Sequence, residues 1–252
     1  PKLMQLTSGG RSNTQDDTYF TQGSLILTPL KGLTIHGDLS LRTGSYEHIY
    51  NVARVYLYDK ENNPVPEQWL GGDADLAAGK TWAYSEQQRS SMITSSAYAD
   101  YSLNFLEKHN LKVMVGMNSE SYRYNNVWAK RSDVMSDSNP DVNTSTGTQS
   151  NGAYRGEWSS LGYFGRVNYD FDGRYLFEFN IRRDGSSRFR ADQRWATFPS
   201  VSVGWNIARE SFWEPMSKWV NTLKPRFSYG SLGNQNTNSY YPTYALSLIH
   251  IS

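Results

Sequence analysis

The sequence predicts an all-β fold, an antiparallel transmembrane β-barrel fragment of about eight strands cut from a larger barrel. Three observations carry this expectation. First, four segments keep one alternation in phase. Leu161, Tyr163, Val167 and Tyr169 face Phe164, Arg166 and Asn168; Tyr175, Phe177, Phe179 and Ile181 face Leu176, Glu178, Asn180 and Arg182. Val201, Val203 and Trp205 then face Ser200, Ser202 and Asn206, and Leu223, Phe227 and Tyr229 face Lys224, Arg226 and Ser228. Side chains alternate faces along a strand, so each segment has one apolar and one polar face. Second, charged and amide side chains fill the polar face while aromatics gather at segment ends, as in barrels that meet lipid outside and water inside. Third, short turns alternate with long loops, as they do on the two rims of an outer-membrane barrel.

The elements follow in order. Residues 18–28 read as a strand, 29–32 as a turn and 33–42 as the return strand, with Leu33, Ile35, Leu39 and Leu41 on one side. Residues 43–91 read as a long polar loop rich in Tyr, Asn, Gly and Trp. Residues 97–106 form the next strand, 107–110 a turn, and Leu111, Val113, Val115 and Met117 mark its return. A second long loop covers 122–157. Residues 170–173 turn the next hairpin and 184–194 loop the one after. In the connection 208–222, Glu210, Phe212, Trp213, Met216 and Trp219 suit a short amphipathic helix interrupted by Pro215, lying near the membrane interface. Each strand is expected near the about 9–11 residues that a tilted membrane strand needs.

Composition agrees. The chain has 252 residues, 14% of them aromatic, with 18 Tyr and 8 Trp, a richness that suits interface belts and sugar-binding surfaces alike. No stretch approaches the roughly 20 consecutive apolar residues of a transmembrane helix, which a barrel does not need. A net charge of +1 gives no field to draw nucleic acid. Cysteine is absent, so disulfides and thiolate metal sites are excluded for this chain. Both ends read as cut. The first residue is Pro, and residues 246–252 read as a translated sequencing-library scar. Residues 1–245 are therefore expected to be partial barrel and 246–252 a non-native tail.

Several runs go beyond alternation. LGYFGRVNYD (161–170), RYLFEFNIRRDGSSRF (174–189), WATFPSVSVGWNI (195–207) and LKPRFSYGSLGNQ (223–235) follow one another at fixed spacing, with TPLKGLT (28–34) and HNLK (109–112) upstream. In that order they resemble the SusC/RagA family of TonB-linked outer-membrane transporters of Bacteroidota. The resemblance reaches to about residue 244 and is densest over 162–235. It implies a 22-stranded barrel, an internal plug, engagement of the TonB complex through regions outside this chain, and a SusD-like surface lipoprotein as partner. It implies import of an oligosaccharide or peptide ligand across the bacterial outer membrane, in contact with its lipid and with no enzymatic step and no cofactor.

Candidate ligand-binding residues are Trp69, Trp82, Trp128 and Trp195, expected in or beside the long loops with Trp158, together with Arg188. Aromatic faces stack on sugars, but loop packing and interface anchoring explain any single Trp as well. The run 182–188 offers Arg forks for a ligand or lid, while Asp184 and Gly185 read more simply as a structural turn. Arg166, Glu178, Asn180, Arg182, Asn206 and Arg226 are expected to face the lumen and contact the plug. Asp133, Asp137, Asn139, Asp141 and Asn143 could offer oxygens to calcium, but their spacing matches no EF-hand and a solvated loop is preferred. The four His residues lack zinc spacing, and no catalytic constellation or metal site is expected. Two rivals remain: a soluble or surface β-sandwich that binds or hydrolyses glycans, and a passive porin.

Overall fold

The structure, a computed structural model, describes residues 9–53, 56–66, 81–235, 237 and 240. Trp69 and the tail 246–252 lie outside them. The main sheet is built from β1 (Gly10–Leu30), β2 (Leu33–Val52), β5 (Trp82–Phe105), β6 (His109–Ser132), β7 (Gln149–Phe171), β8 (Tyr175–Ser186), β9 (Trp195–Trp205) and β10 (Arg226–Gly230). They lie in the order β1-β2-β5-β6-β7-β8-β9-β10, each strand beside its neighbour in sequence. A separate two-stranded hairpin joins β3 (Tyr56–Tyr58) to β4 (Pro64–Pro66). The expectation of an all-β, eight-stranded antiparallel sheet holds.

Turn chemistry explains the reversals. Asp172 and Gly173 both adopt positive φ, and Arg174 N–H donates to the Phe171 carbonyl at 2.9 Å. Two consecutive left-handed residues with Asp-Gly identity form the primed turn whose twist matches paired strands. The Asp170 carboxylate accepts the Gly173 N–H at 2.6 Å and tightens it. Such two- and three-residue connections can join only antiparallel strands.

The register keeps parity. In β7–β8, Val167 pairs with Phe179 and Tyr169 with Phe177; in β8–β9, Phe179 pairs with Val201 and Phe177 with Val203; in β9–β10, Val203 pairs with Phe227. Odd residues therefore meet odd residues, and the apolar set expected from the sequence shares one face. That face is exposed. Ile35, Leu39, Leu103, Val115, Phe177, Ile181, Val203 and Phe227 are open to the surroundings. Among the described residues only Ala53, Trp82 and Ala83 are buried apolar side chains. A soluble sandwich of this length would bury a continuous core between two sheets, so that rival fails on packing.

Four expectations need correction. β1, β2, β5, β6 and β7 run 21, 20, 24, 24 and 23 residues, about twice the expected length. The loop expected over 43–91 shrinks to 53–81, and that over 122–157 to 133–148, so Trp82, Trp128 and Trp158 are strand residues. The misreading has a physical cause: in these extensions both faces are polar, as in Arg123, Asn125 and Arg131 opposite Tyr124, Asn126 and Lys130, so the two-sided contrast vanishes while backbone pairing persists. The run 182–188 turns later than expected. Asp184 and Gly185 still pair with Ala196 and Trp195, and Gly185 lies under the Trp195 ring, where a Cβ would come within 2.8 Å of it. In the connection 206–225, two 3-10 segments, Ile207–Arg209 and Ser211–Met216, replace the expected amphipathic helix, with Pro215 inside the second.

The chain divides into two compact units. One comprises Pro1–Tyr19, Arg42–Ser91 and Arg123–Gly156; the other comprises Phe20–Leu41, Met92–Tyr122 and Glu157–Ser252. The exposed apolar face belongs to the second. β1 and β10 end the strand order without pairing to each other. Unpaired edges and an uncovered apolar face invite association. Expressed alone without detergent, the chain is expected to sediment as aggregate; a monomeric species with a sharp thermal transition in plain buffer would contradict the membrane reading of the exposed face.

Candidate functional site

The polar face of the second unit is a hydrogen-bonded surface built from even-numbered positions. Arg166 Nε donates to Asn180 Oδ1 at 2.6 Å, and Asn180 Nδ2 to Glu178 Oε1 at 2.8 Å. Arg182 Nε lies 2.7 Å from both Asp184 carboxylate oxygens, and its Nη2 donates to Asn118 Oδ1 at 2.8 Å. Asn206 Nδ2 reaches the Gly173 carbonyl at 3.1 Å. Further along, Asp38 accepts from Ser24 and Ser96, and the buried Asp100 sits 3.3 Å from His36 and 3.1 Å from Lys112. A groove of about 510 Å³ opens on this face, lined among others by Asn104, Lys112, Asn168, Glu178 and Arg226. Arg166, Glu178, Asn180, Arg182 and Arg226 sit at even positions of one register, while Asn206 lies just past the end of β9, outside the pairing. Alternating cations, carboxylates and amides can hold a polar surface or ligand non-covalently.

Just past the end of β8, beside the middle of β7, a second cluster forms around Arg188. Its guanidinium lies 4.6 Å from the Trp158 ring centre and 5.6 Å from that of Tyr240, and Nη1 donates to the Gln235 carbonyl at 3.3 Å. Tyr122 packs against both Trp158 and Tyr240. Cation–π contact holds a guanidinium flat against a ring while leaving its edge for hydrogen bonds. Arg188 Nε is buried without a partner among the described residues.

The first unit carries a third cluster. Tyr50 and Tyr84 rings sit 4.7 Å apart, His48 stacks on Tyr50, and Trp128 stacks on Tyr84 at 6.1 Å. The Glu86 carboxylate accepts from Asn126 at 2.6 Å, Gln88 at 2.9 Å and Tyr84 at 3.1 Å. Burial works to raise its pKa, but the hydrogen bonds from Gln88, Asn126 and Tyr84 hold it below the usual carboxylate value. Burial, then the hydrogen bond to Glu86, push the Tyr84 hydroxyl up to about 12.

The expected ligand residues scatter. Trp82 is 3% exposed, and Lys130 Nζ covers its ring at 4.3 Å. Trp128 spends a ring face on Tyr84 and lies over Gly152. Trp195 is an odd-face residue, stacked on Tyr163 with Arg183 over its ring. Trp69 lies outside the described residues. Of the five, Trp82 and Arg188 each keep a buried N–H with no partner among the described residues, but only Arg188 sits among several aromatic rings. The expectations missed Tyr84, Glu86, Tyr122, Tyr124 and Asn126. Their signal was present, since Tyr122, Tyr124, Asn126 and Trp128 keep period 2, but it lies inside stretches read as loop. The acidic loop closes on itself: Asp141 Oδ1 accepts the Asn143 N–H at 2.8 Å, and its carbonyl accepts the Ser145 hydroxyl. Among the described residues no group of three or more His, Asp or Glu is arranged for a metal.

Comparison with known proteins follows the same line. No protein-family model matches the chain. It is 43% identical over 98 residues to the TonB-dependent receptor SusC of Bacteroides thetaiotaomicron, covering 38% of this chain and 10% of the receptor. It is 32% identical over 157 residues to TonB-dependent receptor P3 of Formosa agariphila, covering 62% of this chain and 16% of the receptor. The chain therefore spans a small part of the curated relatives it matches. In structure it is similar to the RagAB peptide importer in the closed-closed state, with a TM-score of 0.79 at 22% identity over 94% of this chain and 24% of that one. The open-open state gives 0.74 over 88%. The SusC/RagA resemblance drawn from the sequence is supported from both sides: the sequence is similar to TonB-dependent receptors, and the fold is that of a segment of such a transporter's barrel wall.

The Tyr84–Glu86 contact has a pH signature. A hydroxyl whose folded pKa is raised adds stability that is full below its ordinary value near 10 and is lost as pH rises through about 12. In the ultraviolet difference titration against Tyr84→Phe, replacing Glu86 by Gln should draw the Tyr84 midpoint back toward 10. An unmoved midpoint would show that burial alone sets it.

Proposed function

We propose that this chain is part of the wall of a TonB-dependent active transporter in the bacterial outer membrane, importing oligosaccharides or peptides. The observation that carries the proposal is the placement of Trp195 and Trp205 at the two ends of β9, both odd-face and both 40% exposed. Ten residue steps at about 3.3 Å make about 33 Å along the strand. Tilted by about 40°, that spans about 25 Å, the height of the apolar band between the aromatic girdles of an outer-membrane barrel. Val201, Val203 and the paired Phe177 and Phe179 fill the interval. At one end Trp195 is joined by Tyr163 and Arg183; at the other, Trp205 pairs with Tyr175, which stacks near Phe171. Aromatic rings with charged neighbours are what a water–lipid boundary favours.

On this reading the odd face meets outer-membrane lipid and the even face lines the lumen, where Arg166, Glu178, Asn180, Arg182, Asn206 and Arg226 meet an internal plug. Residues 1–245 belong to the wall, and 246–252 are a non-native tail. The similarity to TonB-dependent receptors supports an energy-coupled gate over a passive porin. It also supports the TonB complex and a SusD-like surface lipoprotein as partners of the whole protein, with binding and passage in place of covalent chemistry. Both ligand classes are kept because the SusC/RagA resemblance implies both, and the chain shares its fold with a segment of a peptide importer. For capture, Arg188 with Trp158 and Tyr122 is favoured over Trp82 and Trp128, whose rings are already covered, and over Trp195, which belongs to the girdle.

Phe179 lies four residues from Tyr175 and six from Gly185, near the middle of the band. Phe179→Arg should cost about 2–4 kcal/mol of barrel stability, the usual cost of a mid-membrane cation on the lipid face. Asn168→Arg, beside Glu178 on the other face, should cost far less. Urea unfolding of the full-length protein in vesicles, read by heat-modifiable gel mobility, checks both; equal costs would overturn the lipid assignment.

Cells expressing the full-length protein should accumulate labelled oligosaccharide or labelled peptide only while TonB is present, and the label that accumulates identifies the class. Trp158→Ala should weaken capture several-fold with gel mobility unchanged. Uptake that survives loss of TonB would favour a porin.

A further inference from the structure

The connection between β9 and β10 carries more apolar surface than reversal requires. Trp219 is 87% exposed and Phe212 62%, with Met216 and Val220 also open. Four such side chains on one short connection form a patch that water disfavours. The backbone beneath them is closed on itself. Trp213 N–H bonds to the Glu210 carbonyl, Ser217 to Glu214, and Trp219 and Val220 to Met216, all between 2.9 and 3.2 Å. The Trp213 indole N–H donates to the Val220 carbonyl at 3.0 Å, pinning the far end of the loop. Internal satisfaction of backbone groups is what a segment needs where water is scarce.

Glu210 ties this connection to the apolar face. Its carboxylate accepts the Trp205 indole N–H at 2.9 Å and the Tyr175 hydroxyl, and lies 3.5 Å from Arg174. Trp205 and Tyr175 pair across β9 and β8 on the odd face. The Phe212 ring then sits 6.3 Å from Trp205. The connection therefore continues the odd-face aromatic row.

We propose that the β9–β10 connection is a membrane foot: Phe212, Met216, Trp219 and Val220 seat at the headgroup–acyl boundary of the lipid around the barrel, and Glu210 holds them there. Three observations favour lipid as the occupant: continuity with the Trp205 girdle, self-satisfied backbone, and Lys218 beside Trp219. A lysine can keep its charge among headgroups while its stem and the neighbouring indole lie in the apolar layer. This rests on the lipid assignment of the odd face, and the test separates the two.

A single cysteine is introduced into the full-length protein at Trp219, Val203 or Asp137; this chain has no cysteine of its own. Each is labelled with an environment-sensitive fluorophore and refolded into phosphatidylcholine vesicles with or without brominated lipid. Iodide serves as the aqueous quencher. The 219 label should emit blue-shifted, be quenched by brominated lipid and resist iodide relative to the 137 label. Adding Glu210→Ala should reduce the lipid quenching at 219 while leaving that at 203 unchanged. A 219 label quenched by iodide alone, with 203 still in lipid, overturns the foot and leaves the barrel reading standing. A 219 label reached by neither quencher means that protein covers the patch, which also overturns it. If 203 too escapes lipid quenching, the barrel assignment itself has failed.

Discussion

Equal parity across the pairings of β7 to β10 is the constraint on which the rest of this structure depends. A side chain's face is set by its position along the strand, so one residue of slip would turn every apolar group of that strand to the polar side. The primed turn at Asp172 and Gly173 holds the register at the β7–β8 hairpin, and the Tyr175–Trp205 pairing carries it into β9. From this follow the apolar face, the two aromatic rows and the polar ladder from Arg166 to Arg182. No buried core assists: almost nothing apolar is enclosed among the described residues. The sheet is specified by hydrogen-bonded register and by what lies against its two faces.

The polar face is correspondingly dense. Arg166 leans on Asn180, Asn180 on Glu178, and Arg182 on both Asp184 and Asn118. Most of these groups are partly exposed, so each pair alone adds little to stability. Their arrangement matters more than their sum. Cations and carboxylates at alternating positions hold one another in place and present a patterned surface to whatever lies against that face. An unpaired charge on the same face would instead seek its own partner and blur that pattern.

Legibility in the sequence tracked the contrast between faces. From 161 to 205 one side is mostly aromatic or branched and the other mostly polar, so strand phase and the 170–173 turn could be read, while the reversal expected at 184 comes later. Over 43–52, 82–91 and 122–132 both sides are polar, the contrast is gone, and strands look like loop. Tyr84, Glu86 and Asn126 were hidden for that reason, although their spacing keeps period 2. Trp residues misled differently. Trp82, Trp128 and Trp195 share a residue type, yet one is capped by Lys130, one stacks on Tyr84, and one stacks on Tyr163 in the exposed odd-face row. Only neighbours across strands distinguish those fates, and cross-strand neighbours are what a single sequence leaves open.

The long strands raise a question of stability that the first unit answers. Once both faces are polar, burial of apolar area no longer supports pairing, and a bare ladder in water is marginal. The extensions of β2, β5 and β6 compensate with ring contacts, Tyr50 on Tyr84 and Tyr84 on Trp128 across strands and His48 on Tyr50 along β2. Aromatic contacts of this kind add roughly 0.5–1.5 kcal/mol each beyond their area. Glu86 then joins the row by accepting from Tyr84, Gln88 and Asn126. The aromatics of the first unit are thus engaged in holding the extended strands together. A ligand drawn to this part of the protein would meet ring edges and polar groups, since several ring faces are already spent on neighbouring strands. That separates these aromatics into three physical uses: the exposed odd-face rows, the brace between extended strands, and the Arg188 cluster, where a buried guanidinium nitrogen has no partner among the described residues.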